Sequence, residues 1–395
     1  MNQTPRANRK HIVLYGKTNS GKSSIFNAII GQDLSIVSSI KGTTTDPIIK
    51  SMELISFGPI TLIDTAGLDD KTELGELRIK QSLKMLQRAD FALYIMDAND
   101  LDELAYKEMA DEFKKFHIPH SLIINKVDAI SKDKLKLIKE KYKDAIFVSV
   151  NDEESIIQLR SELISKLKSQ ESEKTLLGDL VPYNGTVLLV VAIDSEAPKG
   201  RIILPQVQVI RDCLDNGIKA CVVRDTELEE ALDDLKNIDL VITDSQIFKK
   251  VDKLVPKDIK LTSFSILFAR YKGELEIFLE GISSINELKE NAKILIAESC
   301  SHSSSHEDIG KVKIPFMLQE KIAKSLEFEF TTGHDFPEDL KGYDLIIHCG
   351  GCMMNEKEMK TRIKICKENN IKITNYGILL AYLTGILDRS IEIFH

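Results

Sequence analysis

The chain has 395 residues, enough for two or three domains with sizeable cores. Charged residues make up 29% and hydrophobic ones 43%, and the net charge of −8 argues against a broad nucleic-acid surface, which needs a basic face. No apolar run reaches membrane-spanning length and the basic start "MNQTPRANRKHIVLYGKT" lacks a signal-peptide core. The expectation is a soluble cytoplasmic protein with neither membrane nor nucleic acid as a partner.

Strand-length apolar runs alternate with amphipathic stretches nearly from end to end. The first third reads as strands "HIVLYG", "SMELISF", "ITLIDT", "FALYIMDA", "HSLIINK" and "AIFVSV", with "KSSIFNAIIG", "ELRIKQSLKMLQRA" and "LAYKEMADEFKKF" as helices between them. The Lys-rich "SKDKLKLIKEKYKD" has helical spacing and reads as a solvated helix face. Such alternation predicts an α/β fold with a doubly wound, mostly parallel sheet. The helix "EESIIQLRSELISKLKSQ" closes this unit, and "ESEKTLLGDLVPYNG", broken by Gly178, Pro182 and Gly185, reads as a linker and hinge. Further strands "TVLLVVAID", "KACVVRD" and "DLVITDS", then "AKILIAE", "LEFEFTT", "DLIIHCG" and "IKITNYG", complete three α/β domains over 1–172, 173–262 and 263–395. The phrase "DDLKNIDLVITDS" resembles "EDLKGYDLIIHCG", as a duplicated module would.

Residues Gly16 to Ser23, "GKTNSGKS", fit the phosphate-binding pattern G-x-x-x-x-G-K-[ST] between a strand and a helix. Glycines let backbone N–H groups wrap an anion, and the helix N-terminus adds positive potential. Asn19, Ser20, Gly21, Lys22, Ser23 and Ser24 form this cradle, with Lys22 reaching the β- and γ-phosphates and Ser23 ligating Mg²⁺. "DTAG" ends a strand, so that Asp64 can hold the magnesium shell through water and the Gly67 N–H can sense the γ-phosphate. "NKVD" ends another: Asp128 can accept two hydrogen bonds that guanine alone offers, Lys126 can cover the base and Asn125 can brace the loop. "SVN" adds Ser149 and Val150, where a backbone N–H can contact guanine O6. Each motif falls at a strand's carboxy end, where α/β sheets bind ligands. GTP and GDP are the expected ligands.

This pattern resembles the P-loop GTPase G-domain over residues 9–170. "KGTTTDP" is similar to switch I of the Era- and TrmE-like GTPases, which implies Thr44 as the magnesium-sensing threonine, with Thr43 beside it. Thr45 departs from the arginine usual in that group, and Leu68 stands where Ras-like proteins carry glutamine. The resemblance implies that Glu76, twelve residues beyond Asp64, helps position water. It also implies that Asn19 helps hold a K⁺ ion that stimulates slow hydrolysis, with Lys22, Thr44, Gly67 and Glu76 as the catalytic set. A solvated switch-II acid is the plainer reading of Glu76.

Three of the six cysteines and three histidines fall in "AESCSHSSSH" and "DLIIHCGGCMMN". Cys300 and His302 follow one predicted strand; His348, Cys349 and Cys352 end or follow another, so parallel strands would bring both loops to one sheet edge. Spacing alone leaves open a zinc site, a redox Cys-x-x-Cys pair and an iron–sulfur cluster. Cys213, Cys221 and Cys366 read as core residues, His306 and His334 as loop residues, and Met353 and Met354 as packed or pocket-lining. Leu379, Leu380, Leu383 and Leu387 sit at helical spacing, as core or dimer surface.

A TrmE-like G-domain followed by C-x-H, 45 residues, then H-C-x-x-C resembles the [FeFe]-hydrogenase maturation GTPase family, HydF. The resemblance implies a [4Fe–4S] cluster on Cys300, Cys349 and Cys352 with an exchangeable fourth position. Candidates for that position are His302, then His348, with Glu298, Glu307 and Asp308 as oxygen alternatives. It implies a homodimer built on the middle domain. It also implies a scaffold that receives a di-iron subcluster precursor from radical-SAM maturases and carries it to the apo-[FeFe]-hydrogenase. The alternative is a TrmE/Era-like tRNA-modification or ribosome-assembly GTPase with a structural zinc domain; a stand-alone redox sensor is a third reading.

Overall fold

The computed structural model describes residues 9–31, 36–40, 47–69, 73–170, 174–193, 202–299, 309–337 and 339–395. The chain divides into two compact units, residues 1–172 and 173–395. The first is built on seven strands: β1 (Lys10–Gly16), β2 (Ile36–Ile40), β3 (Ile48–Leu54), β4 (Gly58–Asp64), β5 (Phe91–Asp97), β6 (His120–Asn125) and β7 (Ile146–Val148). Their order is β2-β3-β4-β1-β5-β6-β7, parallel except where β3 pairs antiparallel with β2 and β4. β1 and β5 are continuous apolar runs because helices cover both faces of the sheet. One core lies under the helices Lys22–Ile30 and Glu153–Lys168, another under Glu103–Lys115. The helix Lys132–Lys141 buries little beyond Ile138, which agrees with a solvated face.

The second unit carries two four-stranded parallel sheets. One holds β8 (Thr186–Val191), β9 (Lys219–Arg224), β10 (Leu240–Thr243) and β11 (Lys260–Ser263), in the order β11-β10-β8-β9. The other holds β12 (Ala292–Glu298), β13 (Leu326–Thr332), β14 (Leu345–His348) and β15 (Lys372–Asn375), in the order β13-β12-β14-β15. Taken in chain order, both sheets have the same arrangement. The likeness reaches single hydrogen bonds: Asp239 accepts from Thr186 N, and Asp344 accepts from Lys293 N, each at 2.8 Å. Ser263 and Asn375 then cap the helices Phe264–Lys272 and Tyr376–Thr384 in corresponding places.

Two expectations change here. Leu176, Leu177 and Val181 are buried in the second unit's core, and Asp212 accepts from the Leu176 and Leu177 amides. The described part of the expected linker is therefore folded structure, held by apolar burial that its glycines and proline hid. Cys213 and Cys366 are core residues as expected, but Cys221 is half-buried on the edge strand β9.

Candidate functional site

In the first unit, β1 ends in Gly16 and the chain turns into the helix Lys22–Ile30 through Gly21, whose φ of 91° suits glycine. Asn125 Nδ2 donates to Ser20 O at 3.1 Å and occupies the space a Gly21 side chain would need. Lys22 is buried, and its Nζ donates to Gly16 O at 3.0 Å and Lys17 O at 2.7 Å. Burial lowers the Lys22 pKa, opposed by the charges of Asp64 and Asp69. Ser23 Oγ donates to Asp64 Oδ2 at 2.6 Å. Burial raises the Asp64 pKa, while the Ser23 bond and Lys22 pull it down.

Asp64 Oδ1 is buried and has no hydrogen-bond partner among the described residues. Buried polar atoms are nearly always satisfied, so this oxygen beside the Ser23 hydroxyl fits a hydrated divalent cation. Switch II lies against the loop: Leu68 N donates to Gly16 O at 3.3 Å, and a Cβ on Gly67 would stand 2.7 Å from Thr18 N.

The base-side loop is ordered by its own polar groups. Lys126 takes a left-handed φ of 61°, and its Nζ donates to Asn19 O and Asp97 Oδ2, both at 2.7 Å. Asn151 Nδ2 donates to Asp128 Oδ2 at 2.9 Å, and this bond with one from Ser149 keeps the Asp128 carboxyl below its ordinary range. Ser149 N donates to Ser155 Oγ at 3.1 Å, so that amide braces its own loop, and Val150 is exposed beside it. Ser24 and Glu76 have exposed side chains. Thr43, Thr44 and Thr45 lie outside the described residues.

In the second unit, β12 and β14 pair in parallel with Ala297 opposite His348, so Ser299 and Cys349 leave the sheet at the same edge. Ser299 N and Oγ each lie 3.1 Å from Cys349 Sγ, and Gly351 N donates to the same sulfur at 3.5 Å. Burial raises the Cys349 pKa, and these N–H and O–H groups counter it. A sulfur surrounded by donors suits a thiolate or a bound sulfur cluster. Cys349 and Cys352 line a cavity of about 340 Å³ with Glu298, Tyr376, Asp244 and Phe264. Glu298 Oε1 accepts from Tyr376 OH at 3.1 Å. Met353 faces this cavity and Met354 is packed. Among the described residues no three His, Cys, Asp or Glu side chains close into a metal site. Cys300, His302, His306, Glu307 and Asp308 lie outside the described residues.

His348 departs from its expected role. Arg362 Nη1 lies 3.0 Å from His348 Nε2 and can only donate, so the ring proton sits on Nδ1 and goes to Cys349 O at 2.7 Å. Both nitrogens are thus engaged away from a metal. Burial, reinforced by Arg362, brings His348 down to about 3. Arg362 also donates to Glu358 Oε1 at 3.1 Å, and His334 Nδ1 lies 2.9 Å from that oxygen, which makes His334 part of the same network.

Sequence reasoning missed Lys272. It is only 2% exposed, and its Nζ donates to Gly351 O (3.0 Å), Cys352 O (3.4 Å) and Met354 O (2.7 Å). The Phe268 ring centroid lies 5.2 Å away. One buried ammonium therefore gathers the carbonyls at the end of the Cys-x-x-Cys turn and just beyond it. Burial brings Lys272 from 10.5 down to about 8, against the pull of Cys352, Cys349 and Glu356.

The first unit has the fold and site of a P-loop GTPase domain. Residues 11–126 match the family described as 50S ribosome-binding GTPase. The tRNA modification GTPase MnmE of Janthinobacterium sp. (strain Marseille) is 32% identical over 170 residues, 42% of this chain and 36% of that protein. Its counterpart from Francisella tularensis subsp. novicida (strain U112) is 32% identical over 163 residues, 40% of this chain and 35% of that protein. The chain thus spans about a third of the length of these curated relatives. Among solved structures, Era of Aquifex aeolicus bound to GDP and aluminium fluoride is 19% identical with a TM-score of 0.33, covering 54% of this chain and 93% of that one.

The second unit decides the family. Residues 176–273 match the hydrogen maturase F dimerization domain, and residues 276–393 match the hydrogen maturase F tetramerization domain. The chain belongs to the hydrogen maturase F (HydF) family. No helix among the described residues is long and apolar enough to cross a membrane.

Proposed function

We propose that this chain is a GTPase scaffold of [FeFe]-hydrogenase maturation that holds a [4Fe–4S] cluster on Cys300, Cys349 and Cys352. Its working parts are a nucleotide-binding segment (1–172), a self-association segment (173–262) and a cluster-binding segment (263–395). The observation that carries this reading is the donor-lined Cys349 sulfur at the edge where the chain runs through Ser299 toward Cys300. Three thiolates leave one iron with an exchangeable position, which is the chemistry a carrier needs. His302 remains the first candidate for that position, with Glu298, already facing the cavity, as an oxygen alternative.

At the nucleotide site, Lys22 meets the β- and γ-phosphates, Ser23, Asp64 and Thr44 hold Mg²⁺, and Asp128 with Lys126 reads guanine. Asn19 is assigned to K⁺, and Gly67 and Glu76 to the γ-phosphate and its water. Turnover is slow and K⁺-stimulated. GTP state times docking and release of partners, because a γ-phosphate orders loops that relax when it leaves. The partners are a second copy of this chain, the radical-SAM maturases that supply the di-iron precursor, and the apo-[FeFe]-hydrogenase that receives it.

Anaerobic reconstitution followed by visible absorption and EPR of the dithionite-reduced protein tests the cluster. We expect about four irons per chain, lost on Cys349→Ala or Cys352→Ala and kept on Cys366→Ala. Colourless wild-type protein with stoichiometric zinc would sink the reading.

A further inference from the structure

Lys272 ends the helix Phe264–Lys272, inside the stretch that matches the dimerization domain, and reaches across to the Cys-x-x-Cys turn of the following segment. Among the described residues its three hydrogen bonds all go to neutral carbonyls, those of Gly351, Cys352 and Met354. Glu356, an acid whose charge also reaches it, is paired with Lys174 and Lys360. A cation so deeply buried is costly unless negative charge compensates it. Against the burial that disfavours its charge, Cys352 and then Cys349 pull harder toward the ammonium than Glu356 does. The attraction is mutual, so the ammonium equally favours thiolates at both sulfurs. Ser299 and Gly351 offer the Cys349 sulfur dipoles without net charge, whereas Lys272 brings a full charge to the same turn.

We infer that Lys272 is the counter-charge of the thiolates at Cys349 and Cys352, and that its charge sets the reduction potential of the iron–sulfur site proposed there. This rests on the proposed reading of those cysteines as cluster ligands. One-electron reduction by dithionite adds a further negative charge to a group that three thiolates already make anionic. A positive charge held beneath the turn stabilises the reduced form more than the oxidised one, which raises the potential. Net charge and hydrogen bonding are the levers by which a protein tunes such a cluster. Lys272 touches the turn's carbonyls and no iron, so it acts through the field at the sulfurs. Its helix belongs to the self-association segment, and Phe264 and Phe268 of that helix line the same cavity as the two cysteines.

The test compares full-length wild type with Lys272→Gln and Lys272→Met, reconstituted anaerobically and titrated with dithionite against redox mediators, with EPR of the reduced cluster as the readout. Glutamine keeps an N–H donor for the carbonyls and removes the charge; methionine removes both. Both variants should shift the reduction equilibrium about tenfold or more toward the oxidised cluster, which is a midpoint about 59 mV or more lower for a one-electron couple. An unchanged or higher potential, or a shift confined to methionine, would overturn the inference and leave Lys272 a hydrogen-bond donor only. In parallel, the metal-free proteins are alkylated with iodoacetamide at neutral pH and the adduct at the half-buried Cys352 is followed by mass spectrometry. Its rate should fall about threefold or more in both variants, because the thiolate is the nucleophile. Unchanged rates would overturn the inference even where a variant takes up no iron. Wild-type protein that takes up no iron would instead defeat the cluster reading, while the alkylation rates still report whether Lys272 serves the thiols.

Discussion

Replacing Lys272 by methionine isolates what a buried ammonium does beneath the Cys-x-x-Cys turn. The fall from 10.5 to about 8 corresponds to roughly 3 kcal/mol against the charged form in the metal-free fold. Opposing this are bonds from a charged donor, of which those to Gly351 O and Met354 O lie within 3.0 Å and are worth about 1.5–3 kcal/mol each. At neutral pH the two effects nearly offset, and the variant should be only modestly less stable than wild type. The pH dependence separates them. Between about 8 and 10.5 the unfolded chain binds the Lys272 proton and the folded chain does not, so this residue's contribution to stability rises with pH. Urea unfolding followed by circular dichroism, on metal-free wild type and Lys272→Met in parallel, should show their difference growing by roughly 3 kcal/mol across that window. Anionic thiolates around a bound cluster hold the ammonium charged, so loading the site should flatten the rise. Parallel stability curves for the two metal-free proteins would refute the reasoning.

Two other substitutions probe separate parts of the molecule. His348 is held neutral down to about 3, so below its unfolded value near 6.5 the folded state resists a proton that the unfolded state accepts, and stability falls as pH drops. His348→Gln removes that titration and should move acid unfolding of the second unit to lower pH; an unchanged midpoint would count against the Arg362–His348 network as its origin. Asp128→Ala removes both hydrogen bonds proposed for guanine and should weaken GDP binding about a hundredfold or more, measured by fluorescence titration. A change below about threefold would remove Asp128 from base recognition.

What the sequence made legible was what lies close together in it. The phosphate loop, DTAG and NKVD declare themselves because each is one short turn at a strand end, where identity and spacing define the geometry. Lys272 could not be found this way. Its partners lie 79 to 82 residues further along, and nothing in "FARYKGE" marks an ammonium aimed at carbonyls. His348 was legible as a histidine beside a cysteine, which is also how a ligand looks. Only the buried Arg362 across the fold shows its ring to be engaged elsewhere. The segment from Leu176 to Val181 was misread because turn-forming residues outweighed three apolar ones whose burial depends on distant packing.

The recurrence of one sheet plan in the second unit carries a chemical contrast. Where Ser299 N meets Cys349 Sγ, the earlier sheet sets Ala192 N against the Asp244 carboxylate, at 3.2 Å and at the same strand register. Gln206, fully buried, steadies that oxygen pair from a neighbouring helix. The same backbone solution thus presents soft sulfur in one copy and hard oxygen in the other, and both line a single cavity. Matching strand ends thus bring a thiol and a carboxylate to the wall of one cavity, each held by a backbone amide from the neighbouring strand's end.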